Sequence, residues 1–477
     1  MSQRLCLTTL LVLCLAIVST STGTESATRE MEGSWLGTLE VGGMKLRLVL
    51  NFAVDDSGGL AATMDSPDQG AAGIPIDKVA VSGDTLRFEA AALMLSYVGV
   101  VDSSRSSVVG DFTQGGMTLP LTLERTNQAP QVKRPQEPKP PFPYAVEDVS
   151  YENPEAGITL AGTLTLPPSD NPVPGVLLIT GSGPQDRNEM VFGHRPFWVL
   201  ADYLTRRGIA VLRVDDRGVG GSTGDASAAT SEDFAADAMA GVRFLQTRPE
   251  IDQTKIGLTG HSEGGLIAPM LAARHPEEVA FIVMMAGPGL PGEQILLDQA
   301  ELILKAEGAD EKALAAQRES QTKMFDAIKS ETDSATLEKN LRRILEDTMA
   351  GLTEEERDAL NLGPMTIEQQ IQMALSPWLR FFVTYDPRPA LQQVTCPVLA
   401  VNGELDLQVP SKMNLEAIEQ VLAAAGHSDF TTVEMPGLNH LFQTAVTGSI
   451  SEYATIEETL SPDFLELVGD WILEHTE

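Results

Sequence analysis

The run Lys255-Ile256-Gly257-Leu258-Thr259 has the composition of a buried strand, and it passes through Gly260-His261-Ser262-Glu263-Gly264-Gly265 straight into the helical pattern Leu266–His275. Glycines at both ends of a G-x-S-x-G segment permit a sharp, strained turn that lifts the serine hydroxyl above a sheet and lets the next helix pack close. A strand that hands over to a helix this abruptly belongs in a mostly parallel sheet with helices on its faces.

The surrounding sequence has the matching alternation. Strand-like runs at Ile158–Leu166, Gly175–Thr180, Ile209–Val214 and Lys255–Thr259 are separated by helical patterns at Phe197–Arg207 and Ser231–Gln246. Such an order predicts an α/β sheet whose ligands lie at the carboxyl ends of its strands. From about residue 290 to 375 the pattern is helical throughout, and strand character returns only at Val394–Asn402 and Phe430–Glu434. A helical insertion before the last two strands has the place of a cap; the alternative is a side bundle that only adds stability.

The first third of the chain is different. Between residues 30 and 125, Trp35–Val41 and the alternation of Met44, Leu46, Leu48, Leu50 and Phe52 with polar residues read as half-buried antiparallel strands, with turns at Gly42-Gly43 and Asp55–Gly59. Further strands are expected at Ile74–Val81, Thr85–Ala90, Val108–Phe112 and Leu119–Arg125, giving a small all-β accessory domain. Residues 126–145, rich in proline and charge, read as an extended semi-rigid linker, and residues 146–477 as the domain carrying the serine. Residues 1–24, with Arg4 before the apolar run Leu5–Val18, have the order of a secretory signal peptide, which predicts an exported, periplasmic or extracellular protein. No later run is long and apolar enough for a membrane span, so no stable membrane anchor is expected. Cys6 and Cys14 fall within this leader, and Cys396 is expected as a small buried residue at a strand entrance. A net charge of −34 repels nucleic acid and anionic membranes.

A serine hydroxyl near neutral pH needs a histidine base, and the base needs a carboxylate. In this arrangement the chain order is serine, acid, histidine. Of six histidines, His194 and His261 precede the serine and His275 ends the helix after it. His475 is close enough to the terminus to be frayed. His427 precedes the strand Phe430–Glu434 and should face the far end of the sheet, whereas His440 follows it. The turn after Val398–Asn402 offers Glu404 and Asp406, of which Asp406 is favoured because Val409-Pro410 then opens a helix. Oxyanion charge needs backbone N–H donors: Glu263, next to the serine, and Ser182 or Gly183 in the loop Gly181–Arg187. Two motifs are set aside. Gly218–Gly224 lacks the Gly-Lys-Ser/Thr ending of a phosphate loop and reads as structural, with Asp216 and Arg217 tying adjacent strands. His194, without partners at metal-ligand spacing, reads as a surface or capping residue.

The stretches ITGSGPQDRNE, HRPFWVLADYLTRRGIAVLRVDDRGVGGSTG, GHSEGG, NGELDLQVP and GLNHLFQ resemble the EstD-type group of bacterial α/β-hydrolases, carboxylesterases related to prolyl-oligopeptidase-like hydrolases. The resemblance covers roughly residues 146–477. It implies the α/β-hydrolase fold and hydrolysis of short-chain acyl esters, with Ser262 as nucleophile, Asp406 as acid and His440 as base. A small-molecule ester is then the substrate, with no metal or organic cofactor, and the oligomeric state stays open. The same groups would cleave amides, so a peptidase is the rival reading, and a secreted binding protein on a retained scaffold is another.

Overall fold

Period-two patterning in the first third of the chain produces a single nine-stranded antiparallel sheet in the computed structural model, which describes residues 29–41, 44–54, 59–69, 71–114, 117–128, 133–359 and 364–477. The expected signal peptide, with Cys6 and Cys14, the Gly42-Gly43 turn and most of the Asp55–Gly59 turn lie outside the described residues. The chain divides into two compact units, up to Val132 and from Lys133.

In the first unit β1 (Gly33–Val41), β2 (Met44–Val54), β3 (Leu60–Ser66), β4 (Ala71–Pro75), β5 (Lys78–Ser82), β6 (Thr85–Ala90), β7 (Leu95–Val101), β8 (Ser107–Gln114) and β9 (Met117–Thr126) form an up-and-down meander. Its order is β4-β3-β2-β1-β9-β8-β7-β6-β5, so β1 and β9 pair and the edges are β4 and β5. Alternate side chains turn inward around Trp35, Leu50, Phe88, Tyr97 and Leu121, and Phe88 stacks on Tyr97 at 4.9 Å. The expected strand Ile74–Val81 is in fact two. Pro75, which has no N–H for a ladder, ends β4, and the chain resumes at Lys78 on the opposite edge.

In the second unit β10 (Ala145–Asn153), β11 (Ile158–Leu166), β12 (Val173–Ile179), β13 (Ala210–Val214), β14 (Ile251–His261), β15 (Ile282–Met285), β16 (Val398–Gly403) and β17 (Phe430–Met435) stand in the order β10-β11-β13-β12-β14-β15-β16-β17. β10, β11 and β13 pair antiparallel and every later pair is parallel. This is the α/β-hydrolase fold. β15 and β16 are buried along their whole length, as central strands covered on both faces must be. The helix Ser231–Gln246 starts where the Asp233 carboxylate accepts from both the N–H and the hydroxyl of Thr230, at 2.9 and 2.8 Å.

Between β15 and β16 lie the helices Gly292–Ala306, Glu311–Ser330, Ser334–Ala350, Glu354–Ala359, Pro364–Leu375 and Pro377–Thr384, followed by the short Arg388–Leu391. They have a core of their own around Phe325, Leu337, Leu341, Leu345 and Ile371. The helical run does not stop near residue 375: Ser376 caps a further helix, its hydroxyl accepting from Leu379 N–H, and Pro377 occupies the first turn, where a missing N–H costs nothing. From Lys133 onward the proline-rich segment is not a free spacer. Arg134 donates to the carbonyls of Phe192, Gly193, Ala454 and Ile456, and Gln136 bonds the backbone of Thr459 and Leu460. Among the described residues no helix is long and apolar enough to cross a membrane.

Candidate active site

β14 ends at His261, and the chain turns at Ser262 with φ 54° and ψ −115° before the helix Glu263–Arg274 begins. A non-glycine residue in this region is strained, and the glycines on either side give the backbone the close approach that the turn needs. A Cβ at position 260 would lie 2.0 Å from the Gly264 carbonyl oxygen, and one at 264 would lie 2.2 Å from that of Ile179. The Ser262 N–H is tied to the Met285 carbonyl at 2.8 Å, which leaves the side chain at the sheet's carboxyl edge.

Asp406 follows β16 and His440 follows β17, both at this same edge. Asp406 and His440 are each 3% exposed. One Asp406 oxygen accepts from the N–H groups of Gln408 and Val409 at 2.8 and 2.9 Å, and the other faces His440 Nδ1 at 2.8 Å. A carboxylate at Nδ1 selects the tautomer with its proton there, leaving Nε2 as the free base. Glu404, the alternative acid, accepts from Gly437 N–H and supports the turn instead.

Ser262 and His440 border one cavity of about 460 Å³. Its apolar wall includes Phe192 and Tyr453, together with Ile295, Leu296, Trp378 and Phe382 of the helical insertion. Glu263, Gly181 and Ser182 also border it, whereas Gly183, exposed at φ 91°, does not. Of the two loop residues expected to donate to an oxyanion, Ser182 is therefore the one beside the serine.

Besides Asp406, three more carboxyl groups lie at this edge, Glu263 and Glu189 buried and Asp216 half-buried. Burial pushes the Glu263 carboxyl up, and hydrogen bonds from Ser231, Trp378 and Ser182 pull it partly back. Ser231 Oγ lies 2.5 Å and Trp378 Nε1 2.8 Å from it. Asp216 is pushed up to about 7, mainly by burial, although Gln185 N–H and the Thr180 hydroxyl bond it. Glu189 faces His261 Nδ1 at 2.9 Å. Burial alone would lower the His261 imidazole, but the Glu189 carboxylate and the His440 carbonyl outweigh it and hold it above its ordinary value.

Other expectations are corrected. His194 is neither a surface nor a capping residue: it is 1% exposed and bridges Thr459 and the Tyr453 carbonyl, both at 2.9 Å, and burial brings it down to about 4. His475 is not frayed but stacks on Trp471 at 4.0 Å. Asp216 does join neighbouring strand ends, β12 to β13, yet Arg217 reaches the helix Ser231–Gln246 instead, at 2.7 Å from Asp237. His427 bonds the Cys396 carbonyl at the sheet's other end, and Cys396 is buried before β16. Glu189, the His261 pairing and Trp378 carry no local mark that would single them out in the sequence. Among the described residues no group of three His, Cys, Asp or Glu side chains is arranged to hold a metal ion.

Residues 156–429 match the X-Pro dipeptidyl-peptidase (S15) family. Esterase EstD of Thermotoga maritima is 27% identical over 195 residues, which are 40% of this chain and 46% of that protein, so the match spans less than half of the relative. Among solved structures, an esterase of Pyrococcus furiosus aligns at 15% identity with a TM-score of 0.42, over 74% of this chain and all of that one. A proline iminopeptidase of Mycobacterium smegmatis aligns at 15% identity and a TM-score of 0.41, over 69% of this chain and 99% of its own.

Proposed function

Since the chain belongs to the X-Pro dipeptidyl-peptidase (S15) family of hydrolases, we propose that it is a serine carboxylesterase that cleaves short-chain acyl esters through an acyl-enzyme on Ser262. The observation that carries this reading is the His440–Asp406 hydrogen bond at the wall of the cavity that Ser262 also borders. In the proposed cycle His440 Nε2 takes the Ser262 proton as the hydroxyl attacks the ester carbonyl. The N–H groups of Glu263 and Ser182 hold the oxyanion, and His440 then protonates the leaving alcohol. Water activated by His440 releases the acid, and Asp406 stabilises the imidazolium in both halves. The naming of the relative EstD as an esterase and the mostly apolar wall support an ester as substrate.

A second reading, a peptidase, is favoured by the peptidase activity for which the family is named and by the Glu263 carboxyl in the cavity, which could meet a peptide's amino terminus. Against it, Glu263 already accepts from Ser231 and Trp378. Initial rates on nitrophenyl acetate, butyrate, octanoate and laurate beside aminoacyl anilides, for wild type and Ser262→Ala, decide. Fast serine-dependent turnover of the short esters is expected. Preferential anilide cleavage moves the protein to the peptidases, and no serine-dependent turnover of either favours a binding protein. Export is also proposed, from Arg4 and the apolar run Leu5–Val18. An unprocessed amino terminus on the protein recovered from its native host would contradict it.

A further inference from the structure

Beside the Ser262, His440 and Asp406 group lies a second carboxylate–imidazole pair that the proposed cycle does not use. His261 is the last residue of β14, and both of its ring nitrogens meet acceptors: Nε2 lies 3.0 Å from the His440 carbonyl oxygen and Nδ1 2.9 Å from Glu189 Oε1. A carbonyl can only accept, so Nε2 carries a proton. Glu189 Oε1 also accepts from Gly181 N–H at 2.7 Å, and the negative charges of Glu189 and Asp406 favour a proton on Nδ1 as well. The two protons together make His261 an imidazolium, and its side chain and that of Glu189 are 7% and 4% exposed. Glu189 Oε2 is buried without a hydrogen-bond partner, so the carboxylate depends on His261 for its neutralisation. The other ionisable groups facing His261 are the His440 ring, with centroids 4.8 Å apart, and Asp406, whose charge also favours the imidazolium.

The pair joins three segments. Glu189 holds Gly181 of the loop that carries Ser182, His261 precedes Ser262, and the His440 carbonyl anchors the loop that carries the base. The backbone is built to present it: Glu189 sits at φ 51°, a conformation a side chain rarely adopts, with its own N–H fixed to the Asp186 carbonyl at 2.8 Å.

We propose that Glu189 and a permanently charged His261 are positioning residues that set the oxyanion loop and the His440 loop in register with Ser262. This rests on the serine-esterase reading. Glu189→Gln keeps the shape but removes the charge that His261 needs, so either one of the two imidazole hydrogen bonds is lost or, where the amide turns its NH2 toward Nδ1, the bond that holds Gly181 N–H is lost. A misplacement of this kind costs about 10- to 100-fold in kcat with little change in KM.

The test combines kinetics and spectroscopy on the full chain. Nitrophenyl butyrate hydrolysis is measured for wild type, Glu189→Gln, His261→Gln and the double variant, with Ser262→Ala as control. Histidine-ring ¹⁵N spectra at pH 8 are recorded in parallel, His261 being assigned by its loss in His261→Gln. The expected result is a doubly protonated His261 in wild type, a fall in kcat at near-constant KM in each single variant, and a double variant no worse than either. A neutral His261 in wild type, or kcat within about twofold of wild type in Glu189→Gln, overturns the proposal. If Glu189→Gln does not fold, His261→Gln and the wild-type spectrum still decide it. Activity that survives in Ser262→Ala would instead defeat the esterase reading, a result the spectrum does not depend on.

Discussion

Replacing Trp378 by phenylalanine removes one indole N–H from a carboxyl group that is only 2% exposed. Trp378 Nε1 lies 2.9 and 2.8 Å from the two Glu263 oxygens, and the indole stacks on Phe382 at 5.3 Å, a contact that phenylalanine largely keeps. What is lost is a hydrogen bond to a charged group, worth about 1.5–3 kcal/mol while Glu263 is ionised. The penalty has a pH dependence whose sign is determined. Glu263 binds its proton more tightly in the folded chain than in the unfolded one, because burial raises it. Such a group costs nothing below its unfolded pKa, and the cost grows as pH rises toward the folded value. Trp378→Phe removes a donor that favours the charged form, so its penalty is smaller at pH 5.5 than at pH 8. For the unit from Lys133 to Glu477 an unfolding entropy of roughly 2.1 cal/mol/K per residue converts this to a Tm drop of about 2–4 °C at pH 8. Thermal denaturation of both proteins at the two pH values is the assay. Equal losses at pH 5.5 and 8 would refute the reasoning and leave Trp378 as a packing residue only.

Asp406→Asn is expected to present an amide N–H to His440 Nδ1 and select the wrong tautomer, lowering kcat on nitrophenyl butyrate by about 10⁴-fold while the fold, checked by circular dichroism, is unchanged. Arg134→Ala releases four carbonyls of the loops that carry Phe192 and Tyr453, whose rings meet edge-to-face at 5.7 Å in the cavity wall. It should raise KM about 3- to 10-fold, or ~0.6–1.4 kcal/mol of binding, and leave kcat close to wild type in steady-state assays. Gly264→Ala puts a methyl 2.2 Å from the Ile179 carbonyl oxygen, where neither backbone can yield, and should cost about 3 kcal/mol in urea denaturation.

The serine turn and its partners were legible because each leaves a local mark. Gly260 and Gly264 flank Ser262, and Asp406 and His440 each follow a strand that is strongly apolar or well bounded. What stayed hidden depends on distance along the chain. Glu189 and His261 are 72 residues apart and Trp378 is 115 from Glu263, and no periodicity connects such pairs. β15 is four residues long and buried throughout, too short to separate from a helix by pattern. Pro75 lies inside the expected strand Ile74–Val81 yet ends a strand, and Pro377, just past the expected end of the helical run near residue 375, begins a helix that the Ser376 hydroxyl caps. Arg134 looked like a solvated linker charge because the carbonyls it bonds lie 58 to 322 residues away.

The central claim is that Ser262 is the residue acylated by substrate. The direct measurement is mass spectrometry of the protein quenched in acid milliseconds after mixing with nitrophenyl butyrate, followed by peptide mapping. A butyryl adduct on the peptide that carries Ser262, formed at the rate of the nitrophenol burst and absent from Ser262→Ala, is the predicted result. Ester turnover with no adduct at Ser262, or an adduct that persists in Ser262→Ala, would contradict it.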